Sequence, residues 1–140
     1  MCKIKLYLDV DGVILTKRNT RAADNLYDFL SFIVGNFDCY WLTTHCKGDN
    51  RGLLNYISKF VDSDVLDLLS KVNVTDWMTL KTEAIDCNSS FLWLDDAPLL
   101  HEIEYLKRKS LLERLSIVNL NRNNELLNII NLLKTELTIL

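Results

Sequence analysis

The sequence predicts a three-layer, Rossmann-like α/β fold on a mainly parallel sheet of about five strands. Two observations carry that expectation. Short apolar runs rich in β-branched and aromatic residues alternate with longer segments whose apolar residues recur at helical spacing, the pattern of strand–helix–strand units. The runs also end on carboxylates and hydroxyls, and ligands of parallel sheets collect at the carboxyl ends of the strands. The chain has 140 residues, 49% of them hydrophobic and 25% charged. That suffices for one buried core, and with one proline and four glycines there is little material for linkers. Residues 1–140 therefore read as a single domain without internal repeats.

The first stretch, Met1–Leu15, organises the rest. Ile4, Leu6 and Leu8 alternate with Lys3, Lys5 and Tyr7, which reads as a strand entering a core. It stops at Asp9-Val10-Asp11-Gly12-Val13, where two like charges meet at a sheet edge and glycine permits a sharp turn. Val13–Thr20 reads as an irregular loop or small hairpin. Ala22, Leu26, Phe29, Leu30 and Ile33 predict a helix over 21–34, with Gly35 and Asn36 as its stop. Phe37–Thr43 reads as a second strand ending in Thr43, Thr44 and His45. Asp49 or Asn50 then caps a helix carrying Leu53, Leu54, Ile57 and Phe60, and a short helix follows Ser63. Val72–Val74 is a candidate short strand, and Lys81–Ile85 opens a brief helix. Phe91–Leu94 is a strand ending in Asp95 and Asp96, followed by a helix over 99–109. Leu115–Leu120 is a further strand, and the last helix runs over 124–137.

Composition narrows the function classes. A formal net charge of −3 argues against a broad basic surface for nucleic acid but leaves room for a local patch. No apolar run approaches the roughly 20 residues needed to cross a bilayer, and Lys3, Lys5, Asp9 and Asp11 interrupt any leader-like apolar stretch. The cysteines, Cys2, Cys39, Cys46 and Cys87, show neither zinc-site spacing nor a disulfide framework, and Cys39 reads as a packing residue. A reducing, cytoplasmic setting is the expectation.

Asp9, Asp11, Thr43, Asp95 and Asp96 all fall at strand ends, which makes them the candidate site. Such a carboxylate set suits a hard, oxygen-seeking cation such as Mg2+, which keeps water positions for a phosphate. Thr43 offers a hydroxyl and a backbone N–H to a phosphate oxygen, and Lys81 can bring a positive charge beside it. Thr44 is the alternative hydroxyl, since a one-residue slip of register reverses the side chain. An aspartate can act as nucleophile, and a second acid two residues on can protonate the leaving oxygen and later activate water. The bland readings are an Asp-Gly turn for Asp9–Gly12, a helix cap for Asp96, and solvated loop positions for His45, Arg18, Arg21, Lys47 and Arg51. Trp41 and Trp93 read as core. Trp77 either stacks on a base or packs.

The order Asp9-Val10-Asp11-Gly12-Val13, strand-end Thr43, Lys81, then Asp95-Asp96 resembles the four motifs of the haloacid dehalogenase (HAD) superfamily. Lys71 and Lys47 are the rivals of Lys81. The resemblance implies an HAD-like fold, with Asp9 as phosphate-accepting nucleophile and magnesium ligand. It makes Asp11 the general acid/base, bound to the metal through its backbone carbonyl. Thr43, Thr44, Gly12 and Lys81 would hold the phosphoryl group, and Asp95 and Asp96 would complete the metal site. The second acid at position 11 implies a phosphatase or phosphotransferase rather than a dehalogenase. The intervals between Asp9, Thr43 and Lys81 leave no room for a large cap domain. Uncapped relatives act on large substrates, here a nucleic-acid end or a phosphoprotein. The Trp41-Leu42-Thr43 strand end and the Trp93-Leu94-Asp95-Asp96-Ala97-Pro98 segment are similar to HAD domains of bacterial RNA-repair systems. A non-catalytic HAD-fold module that keeps the carboxylates for ligand binding is the alternative.

Overall fold

The computed structural model describes residues 3–139, so Cys2 lies outside the described residues. Four strands form one parallel sheet in the order β2-β1-β3-β4, with β1 at Lys5–Leu8, β2 at Asp38–Trp41, β3 at Phe91–Asp95 and β4 at Leu115–Ile117. Period-two alternation decides which residue faces which layer. Leu6, Leu8, Leu92 and Leu94 point to one side with Cys39 and Trp41, and Tyr7, Phe91 and Trp93 point to the other. On the first side lie helices α1 (Leu26–Asn36), α3 (Ser63–Leu69) and α5 (Glu125–Ile139), bringing Phe29, Leu30, Ile33, Leu69, Leu126 and Leu133 into the core. On the second, α4 (Leu100–Arg108) supplies Leu106, beside Ile85 and Trp77. Helices thus cover both faces, as a buried parallel sheet requires. Trp41 and Trp93 are fully buried, as expected of core residues.

The expected fifth strand is not a strand. Val72–Val74 contributes one bridge, Asn73 to Tyr40, in which the Asn73 N–H donates to the Cys39 carbonyl and the Trp41 N–H to the Asn73 carbonyl. Val72 is buried, but Val74 is exposed, and the Asn73 side chain also bonds Asp38 and the Cys39 carbonyl. With one apolar anchor, the segment pairs at a point rather than along a ladder.

Helix boundaries differ for local reasons. The helix expected over 21–34 begins at Leu26, because Asn25 sits at φ 64 and Ala22 is bridged to Leu15 in a small hairpin. Its stop lies one step later, at Phe37, with Gly35 and Asn36 inside the helix. The helix at Arg51–Ile57 (α2) is capped by the Asp49 carboxylate, which accepts from the Arg51 N–H at 2.8 Å; the Asn50 side chain makes no capping bond. Lys81–Ala84 is a single 3-10 turn. The strand expected over 115–120 ends at Ile117. No described helix is long and apolar enough to cross a membrane. Burial pushes the Cys39 thiol up to about 12, which fits its packing role.

A loop contact at the base of the sheet gives one acid-sensitive element. The Asp86 carboxylate accepts from Ser89 Oγ at 2.7 Å, Lys5 Nζ at 2.9 Å and the Asn88 N–H at 3.1 Å. These bonds favour the charged form, the Ser89 one most, and hold the Asp86 pKa down at about 2 against an ordinary 3.8. A folded-state pKa below the unfolded one adds stability that is complete above the ordinary carboxylate range and fades as pH falls toward 2. Asp86→Asn is therefore expected to lower Tm at pH 6, and the gap from wild type should close by pH 2. A gap that stays constant across that range would show that the carboxylate charge is not what these bonds hold.

Candidate functional site

In the order β2-β1-β3-β4 the chain leaves β1 to one side and later returns to its other side, so the crevice lies between the carboxyl ends of β1 and β3. Leu8 pairs with Leu94, which places Asp9 and Asp95 side by side one step on, and the Asp9 N–H donates to the Leu94 carbonyl. Asp9, Asp95 and Asp96 each offer a carboxylate oxygen within 4.8 Å of the others. This is a hard, all-oxygen donor set on largely buried groups, and it fits a small divalent cation.

Two ammonium groups approach this cluster. Lys81 Nζ lies 2.7 Å from Asp95 Oδ2 and 3.1 Å from Asp9 Oδ2, which selects Lys81 over Lys47 and Lys71 as the lysine of the site. Lys17 Nζ lies 2.6 Å from Asp96 Oδ2. Three carboxylates thus face two ammonium groups. Burial pulls the Lys81 ammonium down, but the charges of Asp9 and Asp95 outweigh it and hold the pKa above 10.5. Burial, then the neighbouring Asp9 charge, raises Asp95, and Lys81 pulls against both.

Lys81 is held from behind. The buried Glu102 of α4 accepts from the Lys81 N–H at 2.7 Å through one oxygen and from the Leu99 N–H at 2.8 Å through the other. One carboxylate therefore ties the 3-10 turn to the start of α4. Sequence reasoning missed Glu102 and Lys17. Glu102 carried a signal, since it stands three residues after the position before α4, where a glutamate reaches back to orphan backbone donors. Asp96 does not cap that helix; its carboxylate is turned to Lys17 instead.

The other expected residues divide. The Asp11 carboxylate stands outside the three-carboxylate cluster and bonds His45 Nε2 at 2.9 Å, while the His45 ring stacks on Tyr56 with centroids 5.0 Å apart. Thr43 is fully buried, and its hydroxyl accepts from the His45 N–H at 3.3 Å. Thr44, one residue on and exposed, lines the pocket instead. That pocket, about 460 Å³, is floored by Asp9, Asp11, Lys81 and Glu102 and rimmed by Lys47, Trp77 and Met78. Lys47 Nζ sits 4.0 Å from the Trp77 ring centre, so the tryptophan packs inward beneath a cation.

Gly12 lies at φ +85, and a Cβ there would overlap the Asp96 carboxyl carbon. Only glycine lets the turn after Asp11 pass so close to Asp96. Gly12→Ala is expected to cost about 1–3 kcal/mol in backbone strain alone and to displace Asp96. A thermal melt checks it; a Tm equal to that of wild type would show that the turn tolerates the added Cβ.

No family model, no curated protein and no solved structure matches this chain.

Proposed function

We propose that the chain is a magnesium-dependent, HAD-like phosphomonoesterase working through an aspartyl-phosphate on Asp9. The observation that carries the reading is the convergence of Asp9, Asp95 and Lys81 within 3.1 Å contacts at the ends of neighbouring strands, with Asp11 two residues beyond. A cation held by Asp9, Asp95 and Asp96 would supply positive charge to the phosphoryl oxygens. The Asp9 carboxylate is held at both oxygens, Oδ1 accepting from the Val10 N–H at 2.8 Å and Oδ2 meeting Lys81, which supports its use as a fixed nucleophile. An Asp9 oxygen forms a bond to phosphorus as the ester P–O bond breaks, and Asp11 gives its proton to the departing oxygen. Asp11 then takes a proton from water, whose oxygen attacks phosphorus and releases inorganic phosphate from Asp9. Lys81 stabilises charge on the transferring group, and the Thr44 hydroxyl lies in the same pocket.

The described residues between the strands form the core's own loops and helices, which supports an uncapped site open to a large phosphorylated substrate, a nucleic-acid end or a phosphoprotein. The test is phosphate release from p-nitrophenyl phosphate and from phosphorylated oligonucleotides and peptides, with Mg2+ and with chelator. Chelator-sensitive turnover supports the reading. Mg2+ binding with no turnover on any of the three would favour a non-catalytic module.

A further inference from the structure

We propose that His45 is a positioning residue, holding the Asp11 carboxyl where it meets the oxygen that leaves phosphorus. This rests on the phosphatase reading above and names the residue that fixes its general acid. Among the described residues the Asp11 carboxylate has one polar partner, His45 Nε2 at 2.9 Å. Asp11 is 38% exposed at its side chain and stands outside the three-carboxylate cluster, so neither burial nor that cluster holds its rotamer. A general acid works only from a fixed geometry, and a misplacement of about 1 Å costs about 100-fold in rate. Asp11 lines the catalytic pocket and His45 does not, so the ring acts on Asp11 from outside the pocket.

The histidine is itself held, by its ring and by its backbone. The ring stacks on Tyr56 of α2 with the two planes 13° apart. Tyr56 in turn packs edge-on against Phe60, ring centres 5.5 Å apart, and both rest against the core. The backbone beneath is a tight turn. Thr43 Oγ1 accepts from the His45 N–H at 3.3 Å, and the Thr43 carbonyl accepts from the Cys46 N–H at 3.2 Å. Thr43 and Cys46 are both buried, which pins the turn on either side of the histidine. Thr43, at the end of β2, thus serves the site through the turn that presents His45. A solvated loop histidine needs neither a stacked neighbour nor a pinned turn. A side chain locked by packing, with its polar atom on a pocket carboxylate, is what a preorganised site requires behind its reacting groups.

The test compares kcat/KM on an aryl ester, p-nitrophenyl phosphate, with kcat/KM on alkyl esters, β-glycerophosphate and a terminally phosphorylated oligonucleotide. An alkoxide needs a proton in order to depart, whereas nitrophenolate leaves without one, so only the alkyl esters depend on a well-placed acid. His45→Phe keeps a ring for Tyr56 to stack on and removes the nitrogen. It is expected to lower kcat/KM on the alkyl esters by about 10-fold to 100-fold and on p-nitrophenyl phosphate by less than about threefold. His45→Gln, whose amide nitrogen reaches the place of Nε2, should restore most of the alkyl-ester rate. Tyr56→Leu, which removes the stack and leaves the bond, should show the same unequal loss at smaller size. Equal loss on both classes of ester in His45→Phe would assign His45 a merely structural role and overturn the proposal. So would unchanged rates, or a His45→Gln variant no faster than His45→Phe. Wild type without turnover on any of these esters removes the phosphatase reading and the positioning role with it. An active wild type that His45→Phe matches on every ester removes the positioning role alone.

Discussion

Asp9→Asn is expected to lower the rate of phosphate release by roughly a thousandfold or more, the cost of losing the nucleophile from a covalent route. The amide is nearly the same size, so the Val10 N–H keeps an oxygen acceptor. It lacks the charge that attacks phosphorus and that faces Lys81 at 3.1 Å. Because the change removes a group acting in bond formation, the effect should fall on kcat rather than on KM. Trapping the phosphorylated enzyme by rapid acid quench gives a second readout: label stable in acid and labile in base on wild type, and none on Asp9→Asn. Full activity in Asp9→Asn would sink the proposed mechanism.

Lys81→Met should affect both rate and stability. Lys81 is 13% exposed at its side chain and bridges two carboxylates that are themselves largely buried. Methionine fills a similar volume but leaves Asp9 and Asp95 as adjacent uncompensated charges. Breaking one side of such a buried pair costs about 3–5 kcal/mol. A lysine whose folded pKa lies above its ordinary value contributes stability that is complete below about pH 10.5 and is lost as pH rises through the folded value. The lower Tm of Lys81→Met at pH 7 should therefore converge on wild type only in strong alkali. Removing a preorganised positive group from beside the transferring phosphoryl is expected to lower kcat by about 100-fold to 1,000-fold. Saturating Mg2+ should raise the Tm of Lys81→Met more than that of wild type, because the cation then balances carboxylates that lysine no longer does. An equal Mg2+ effect on both would argue that Lys81 and the cation do not share these ligands.

The sequence by itself determined the strand–helix alternation, the core and the strand-end carboxylates. These depend on local pattern: alternation at Lys5–Leu8, an uninterrupted apolar run at Phe91–Leu94, and carboxylates where each run stops. The sequence put Lys81 ahead of its rivals Lys47 and Lys71, but only the fold brought it against Asp9 and Asp95, because that contact depends on which crossover lies over the β1–β3 crevice. The same holds for Thr44 rather than Thr43 at the pocket, a matter of one residue's register at the end of β2. Single-residue features also decided that Val72–Val74 contributes a bridge and not a strand, and that the first helix waits for Asn25. Glu102, Lys17 and the Asp11–His45 bond join residues far apart in the chain. Pairing at such separations is set by how the helices seat against the sheet, and local sequence carries no measure of it.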